Sequence, residues 1–208
     1  MHRRRLLALL GLLPAVAAAA PVAQFLDEQQ RQRRVRPVRG YHRDYFPNIS
    51  LRTHENRRVR LYDDLLQGKN VLIQLFRADH DDAREREGID NVRRLQTLLG
   101  ERSGRDVFLY SFTLEPKRDS PARLRRHHEE CGAAPGWTFL TGAPRDLELC
   151  RVRFGFVDSD PRRANRRPRH WDLVLLGNEP HQRWMASHAL TRPELLLDQL
   201  NRVAGLKS

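Results

Sequence analysis

Hydrophobic and polar positions change period several times along the chain. Residues 71–76 (Val71, Leu72, Ile73, Gln74, Leu75, Phe76) are almost continuously apolar, which fits a central strand buried on both faces better than an alternating surface strand. The run leads straight into a charged loop, Arg77, Ala78, Asp79, His80, Asp81 and Asp82. Ile89, Val92, Leu95, Leu98 and Leu99 then recur at helical spacing up to Gly100, with Arg93, Arg94 and Gln96 on the other face. This is an amphipathic helix. Residues 107–112 repeat the buried-strand pattern. A strand, helix, strand unit closes as a parallel, right-handed crossover, so the two strands are expected to be neighbours or near neighbours.

Upstream, an extended segment over residues 45–51 passes through the turn-like His54, Glu55, Asn56 and Arg57 into Val59, Arg60 and Leu61, predicting a hairpin. Tyr62 to Leu66 follow as a short helical turn before Gly68. Downstream, Ser120 and Pro121 supply an N-cap and a first-turn proline for a helix that ends at Cys131 and Gly132. Residues 137–140 predict a third central strand, and Pro144 with Asp146 starts another helix through Leu147, Leu149 and Val152. Residues 157–169 are rich in Asp, Pro and Arg without apolar periodicity, a loop long enough to suggest function. Residues 171–176 and 183–185, joined through Gly177, Asn178 and Glu179, predict a β-hairpin. The closing helix, residues 193–203, places Leu196, Leu197, Leu200 and Val203 on one face. Together these elements describe an α/β, thioredoxin-like fold: a central mixed sheet flanked by helices, with an N-terminal hairpin.

The N-terminal segment changes the picture of where such a domain works. Three arginines, an apolar run over residues 6–16 and Ala17 to Ala20 have the order of an export signal. The expected organisation is a signal over residues 1–20, a polar tether over 21–44 and the domain over 45–205. Periplasmic localisation follows, either released near Pro21 or held at the membrane by an uncleaved signal. The 208 residues carry 38 Lys and Arg against 26 Asp and Glu, a net charge of +12. The arginines are scattered over helices and loops without an aromatic-interleaved stripe, which with export argues against a nucleic-acid partner. An anionic membrane surface or acidic protein is the partner that this charge suits. No Ser-His-Asp spacing, Gly-rich phosphate loop or His-Glu-x-x-His run occurs.

Several segments in one order resemble a known family. They are Gly104 to Val107; Ser111 to Pro116 with Asp119 and Pro121; Pro135 to Gly142; Phe154 to Asp158 with Asp160 and Pro161; and His170 followed by Gly177, Asn178, Glu179, Arg183 and Trp184. In this order they resemble the SCO/SenC family of thioredoxin-fold proteins, over roughly residues 45–203. The resemblance implies a role in copper delivery to cytochrome c oxidase, with a metal site made of a Cys-x3-Cys motif after the first central strand and one distant histidine. That histidine falls on His170, the first motif cysteine on His80 and the second on Arg84; a one-residue shift of register substitutes Asp79 and Ala83. Both thiolates are absent, and thiolates are what select Cu(I) and exchange disulfides.

The expectation is therefore an exported accessory of respiratory-oxidase assembly or copper homeostasis, with oxidase components or another copper-handling protein as partner, and without thiol-based copper transfer, redox activity or enzymatic turnover. A second reading is a periplasmic protein binding Cu(II) or Zn(II) through His80 and His170, with Asp79, Asp81 or Asp82. Against it stands a solvated loop whose carboxylates pair with Arg77, Arg84 and Arg86. A thiol oxidoreductase is the remote third, because no cysteine occupies the strand-end loop. Cys131 and Cys150 are open to two readings, a structural disulfide worth about 3 kcal/mol or two thiols facing separate cores. His127 and His128, with Glu129 and Glu130, are expected on a solvated helix face. His181 and His188 flank the last strand, and Trp137, Phe139, Phe154 and Phe156 are expected in the core.

Overall fold

The apolar run becomes one strand of a seven-stranded sheet. The computed structural model describes residues 45–79, 82–156 and 172–206, all within the unit Pro37–Ser208. In chain order the strands are β1 (Ser50–Thr53), β2 (Arg58–Arg60), β3 (Asn70–Phe76), β4 (Val107–Thr113), β5 (Trp137–Gly142), β6 (Leu173–Asn178) and β7 (Arg183–His188). The helices are α1 (Ala83–Leu99), α2 (Pro121–Glu130), α3 (Pro144–Arg153) and α4 (Pro193–Ala204), with a short helical turn at Leu61–Leu66. The spatial order is β2-β1-β5-β4-β3-β6-β7. β3, β4 and β5 are mutually parallel, as the crossover argument requires, while β6 lies antiparallel to β3 on its other side.

Period-two alternation divides the buried side chains between two cores. Val71, Ile73 and Leu75 face the α3 side with Phe112, Leu147, Cys150 and Phe154. Leu72 and Phe76 face the other side with Val92 and Leu95 of α1, Leu124 of α2 and Leu196 of α4. Leu72 stands opposite Leu109 and Leu176 in the two flanking strands. Burying side chains of this size contributes about 1.5–3 kcal/mol each, so β3 needs apolar residues on both faces. Gln74 interrupts the run without cost to the sheet: its amide donates to Ser111 Oγ at 2.7 Å, which also accepts from Trp137 Nε1 at 2.8 Å. A buried polar group is tolerated when it is bonded in this way.

The last hairpin turns later than its sequence suggests. β6 continues through Gly177 and Asn178, and the chain reverses over residues 179–182, with Gln182 at a φ of +54°. Gly177 pairs with Trp184 across the hairpin, and a Cβ on Gly177 would run into the Trp184 ring. This glycine makes room for an aromatic partner, which is why it sits inside a strand. Asn178 donates to Ala204 O at 3.1 Å and accepts from His181 N at 3.0 Å. Glu179 is buried, accepting from Tyr62 Oη at 2.6 Å and from Gly68 N at 2.8 Å. It fastens the hairpin to the helical turn before β3.

Candidate functional site

Parallel β3 and β4 end side by side at Phe76 and Thr113, so the loops leaving them meet at the carboxyl edge of the sheet, where open α/β folds place their sites. Each loop hands over to a capped helix. Asp82 accepts from Arg84 N at 2.9 Å, and Ser120 accepts from Arg123 N at 3.3 Å ahead of Pro121. The first loop is tied down by Glu85, which is buried and accepts from Arg77 N at 2.9 Å, Nη2 at 2.8 Å and Nε at 3.2 Å. That carboxylate holds the Arg77 guanidinium above its ordinary range.

Asp79 carries the link between the loops. It pairs with Arg118 at 2.7 Å and with Arg123. Arg123 also lies 3.1 Å from Oδ1 of Asp119, whose other oxygen accepts from the Thr113 hydroxyl. Burial pushes the Asp119 carboxyl up. The partners of Asp79 thus differ from the expected Arg77, Arg84 and Arg86: they come from the next βα loop and helix. Parallel pairing of β3 with β4 brings them there, from about 40 residues away in the chain.

For a metal, this arrangement leaves few donors. Asp79 is engaged by two arginines, and Asp82 caps α1. His80, Asp81 and His170 lie outside the described residues, as does the 157–169 loop. Among the described residues no group of three or more His, Cys, Asp or Glu is placed to hold a metal ion. The described part of the loop is an ion-pair network and does not itself fit copper.

The histidines of α2 are not on a solvated face. His127 is buried, stacked on Phe76 with ring centroids 5.2 Å apart and edge-on to Phe139 at 5.3 Å. His128 stacks on His54 at 4.1 Å. His54 is itself buried and accepts from Phe139 N at 3.2 Å. Burial first, and the neighbouring His128 second, lower the His54 pKa to about 4; burial also lowers that of His128. Leu124, His127, His128 and Cys131 stand at i, i+3, i+4 and i+7, the inner stripe of a helix. That spacing was visible in the sequence, although only Leu124 among the first three is apolar.

Both cysteines are free thiols. Cys150 is fully buried in the α3-side core, whereas Cys131 packs against the opposite core. The disulfide alternative is therefore corrected, because the sheet separates the two sulfurs. Burial pushes both thiols up to about 12. Cys131 also borders a groove of about 810 Å3 shared with Arg77, Asp79, Arg93 and Arg118. His181 lies in the turn before β7 and His188 is the last residue of that strand: His181 contacts Asn178, and His188 approaches Asp172 at 3.5 Å. Trp137, Phe139, Phe154 and Phe156 are buried, as expected.

An open mixed sheet with three parallel central strands and helices on both faces defines a thioredoxin-like α/β protein. Solved structures with this arrangement include yeast Sco1 with copper bound, at 17% identity over 78% of this chain and 96% of that one, TM-score 0.58. A SCO1/SenC family lipoprotein from Bacillus anthracis matches at 16% identity over 76% and 94%, TM-score 0.58. BsSco, a member of the Sco family of cytochrome c oxidase assembly proteins, matches at 16% identity over 78% and 94%, TM-score 0.61. At these identities the likeness establishes the Sco-type fold. No protein-family model matches the chain, and no curated protein does. Among the described residues no helix is long and apolar enough to cross a membrane.

Proposed function

We propose that this chain is a divergent SCO/SenC-like protein, exported to the periplasm, that serves respiratory-oxidase assembly or copper homeostasis by binding a partner. The observation that carries this reading is a Sco-type sheet whose strand-end loop has no cysteine, while the two thiols of the chain lie in separate cores. Two thiols divided by a sheet have no route to one disulfide without unfolding. Dithiol exchange and thiol-pair copper transfer are therefore assigned no part in its action. The arginine-rich surface supplies long-range attraction to an acidic partner or an anionic membrane. The test is the oxidase activity of membranes from a strain lacking the gene. Lower activity, restored by the wild-type chain, is the expected result; unchanged activity under oxidase-dependent growth overturns the reading.

A second reading rests on the copper-bound structures that share the fold: His80 and His170 would hold Cu(II) or Zn(II), imidazole being a suitable donor for either. Calorimetry of the wild type and of His170→Ala then shows a metal-binding heat that the variant loses. Equal heats dismiss it.

A further inference from the structure

Helix α3 carries two apolar stripes, and one of them faces outward. Leu147, Cys150 and Phe154, at i, i+3 and i+7, enter the core on this side of the sheet. Leu149 and Val152 point the other way and are 37% and 47% exposed. Arg145 and Arg153, both exposed, stand one turn before and one turn after Leu149 on the same face. The Arg153 guanidinium lies over the Tyr45 ring at 5.7 Å, and Tyr45 is itself 47% exposed. Beside Tyr45 the surface opens into a cleft of about 290 Å3 walled by Phe46, Phe154, Leu175 and Trp184. Phe46 packs against Trp184 with ring centroids 4.7 Å apart and takes Tyr45 edge-on at 5.0 Å. Of the five large apolar side chains exposed among the described residues, Tyr45, Leu149 and Val152 thus belong to one surface. The other two, Leu98 of α1 and Leu195 of α4, are on helices packed against the opposite face of the sheet.

The charge on this face selects what covers it. A second copy seated on the same surface by a two-fold axis would set Arg145 and Arg153 against the same two cations. An anionic lipid surface accepts the combination: apolar side chains enter the boundary of the acyl chains, a tyrosine suits the headgroup level, and arginines bury their stems while their guanidinium groups stay among the phosphates. The course of the chain favours lipid over an acidic protein. Tyr45 is where the domain joins residues 21–44, which carry six arginines against three acidic residues and separate it from the apolar run over residues 6–16. These 24 residues span at most about 80 Å, and a basic segment of this kind is drawn to anionic lipid. We propose that the outer face of α3, together with Tyr45 and the adjoining cleft, docks on an anionic phospholipid surface. The proposal rests on the export reading, and it turns α3 toward the lipid and α1 and α4 away from it.

The full-length chain carrying Val152→Cys or Leu98→Cys is labelled with an environment-sensitive maleimide dye. Burial pushes the native thiols Cys131 and Cys150 up to about 12, so they label slowly, and the wild type gives the background. Each labelled protein is mixed with vesicles of phosphatidylcholine alone or with phosphatidylglycerol added, both with brominated acyl chains as quencher. The dye at position 152 should shift to the blue and be quenched by the anionic vesicles, several-fold more than by the neutral ones, while the dye at position 98 stays unchanged. Arg153→Glu, an exposed change, should cut the response at position 152 several-fold. An equal response at the two positions, a response at 152 that is the same in neutral vesicles, or none at all overturns the proposal. So does a blue shift at 152 that grows with protein concentration in the absence of vesicles, which would give the face to a second copy. An unresponsive dye together with oxidase activity that still falls on loss of the gene refutes the docking face alone.

Discussion

His54 and His128 lie flat against one another where the first hairpin meets α2 and β5, and their neutrality is a condition of that contact. The folded His54 resists protonation down to about pH 4, whereas the unfolded residue titrates at its ordinary 6.5. Between those values the unfolded chain takes up a proton that the folded chain refuses. Stability is full above about pH 6.5 and falls as the pH drops toward 4, by up to about 3 kcal/mol from this residue. His128, lowered for the same reason of burial, adds to the loss in the same direction. Urea unfolding from pH 7.5 to 4 should show this decline, and His54→Gln, which can still accept from Phe139 N, should flatten it. An equally steep decline in the variant would assign the loss to other groups. Neither histidine was legible as a packing residue, because a polar residue type masks an inner-stripe position until the partner ring is known.

At the scale of elements, Gly177 tests the account of the last hairpin. Gly177→Val forces a side chain against the Trp184 ring and should cost about 1–3 kcal/mol in thermal or denaturant unfolding. A stability within about 0.5 kcal/mol of wild type would mean that the hairpin register is not the one described. The elements themselves were largely readable. Nearly continuous apolar runs marked β3 and β4, and helical spacing marked α1 and α4, since burial on two faces or on one stripe leaves its period in the sequence. The hairpin turn was misplaced by two residues because Gly-Asn reads as a turn signal, yet here glycine accommodates Trp184 and asparagine bonds Ala204 and His181. The partners of Asp79 were illegible for a different reason. Arg118 and Arg123 reach it only through the parallel packing of β3 against β4, a juxtaposition that no local pattern encodes.

At the scale of the whole molecule, the fold is that of Sco proteins, while the strand-end loop carries ion pairs where thiols would be needed for exchange chemistry. Candidate donors His80 and His170 were chosen by family resemblance alone and lie outside the described residues. A net charge of +12 attracts many acidic surfaces, so specificity must be separated from charge. Attraction between exposed charges is largely screened beyond a Debye length of about 8 Å at physiological ionic strength, and added salt shortens that reach. The central claim is partner binding by a Sco-type domain that does not rely on thiol exchange. Its most direct test is affinity capture with the full chain from the native membrane fraction, at low and high salt, with thiols blocked by alkylation. Oxidase subunits retained at both salt concentrations are the predicted result; capture limited to acidic proteins that wash away at high salt would contradict it.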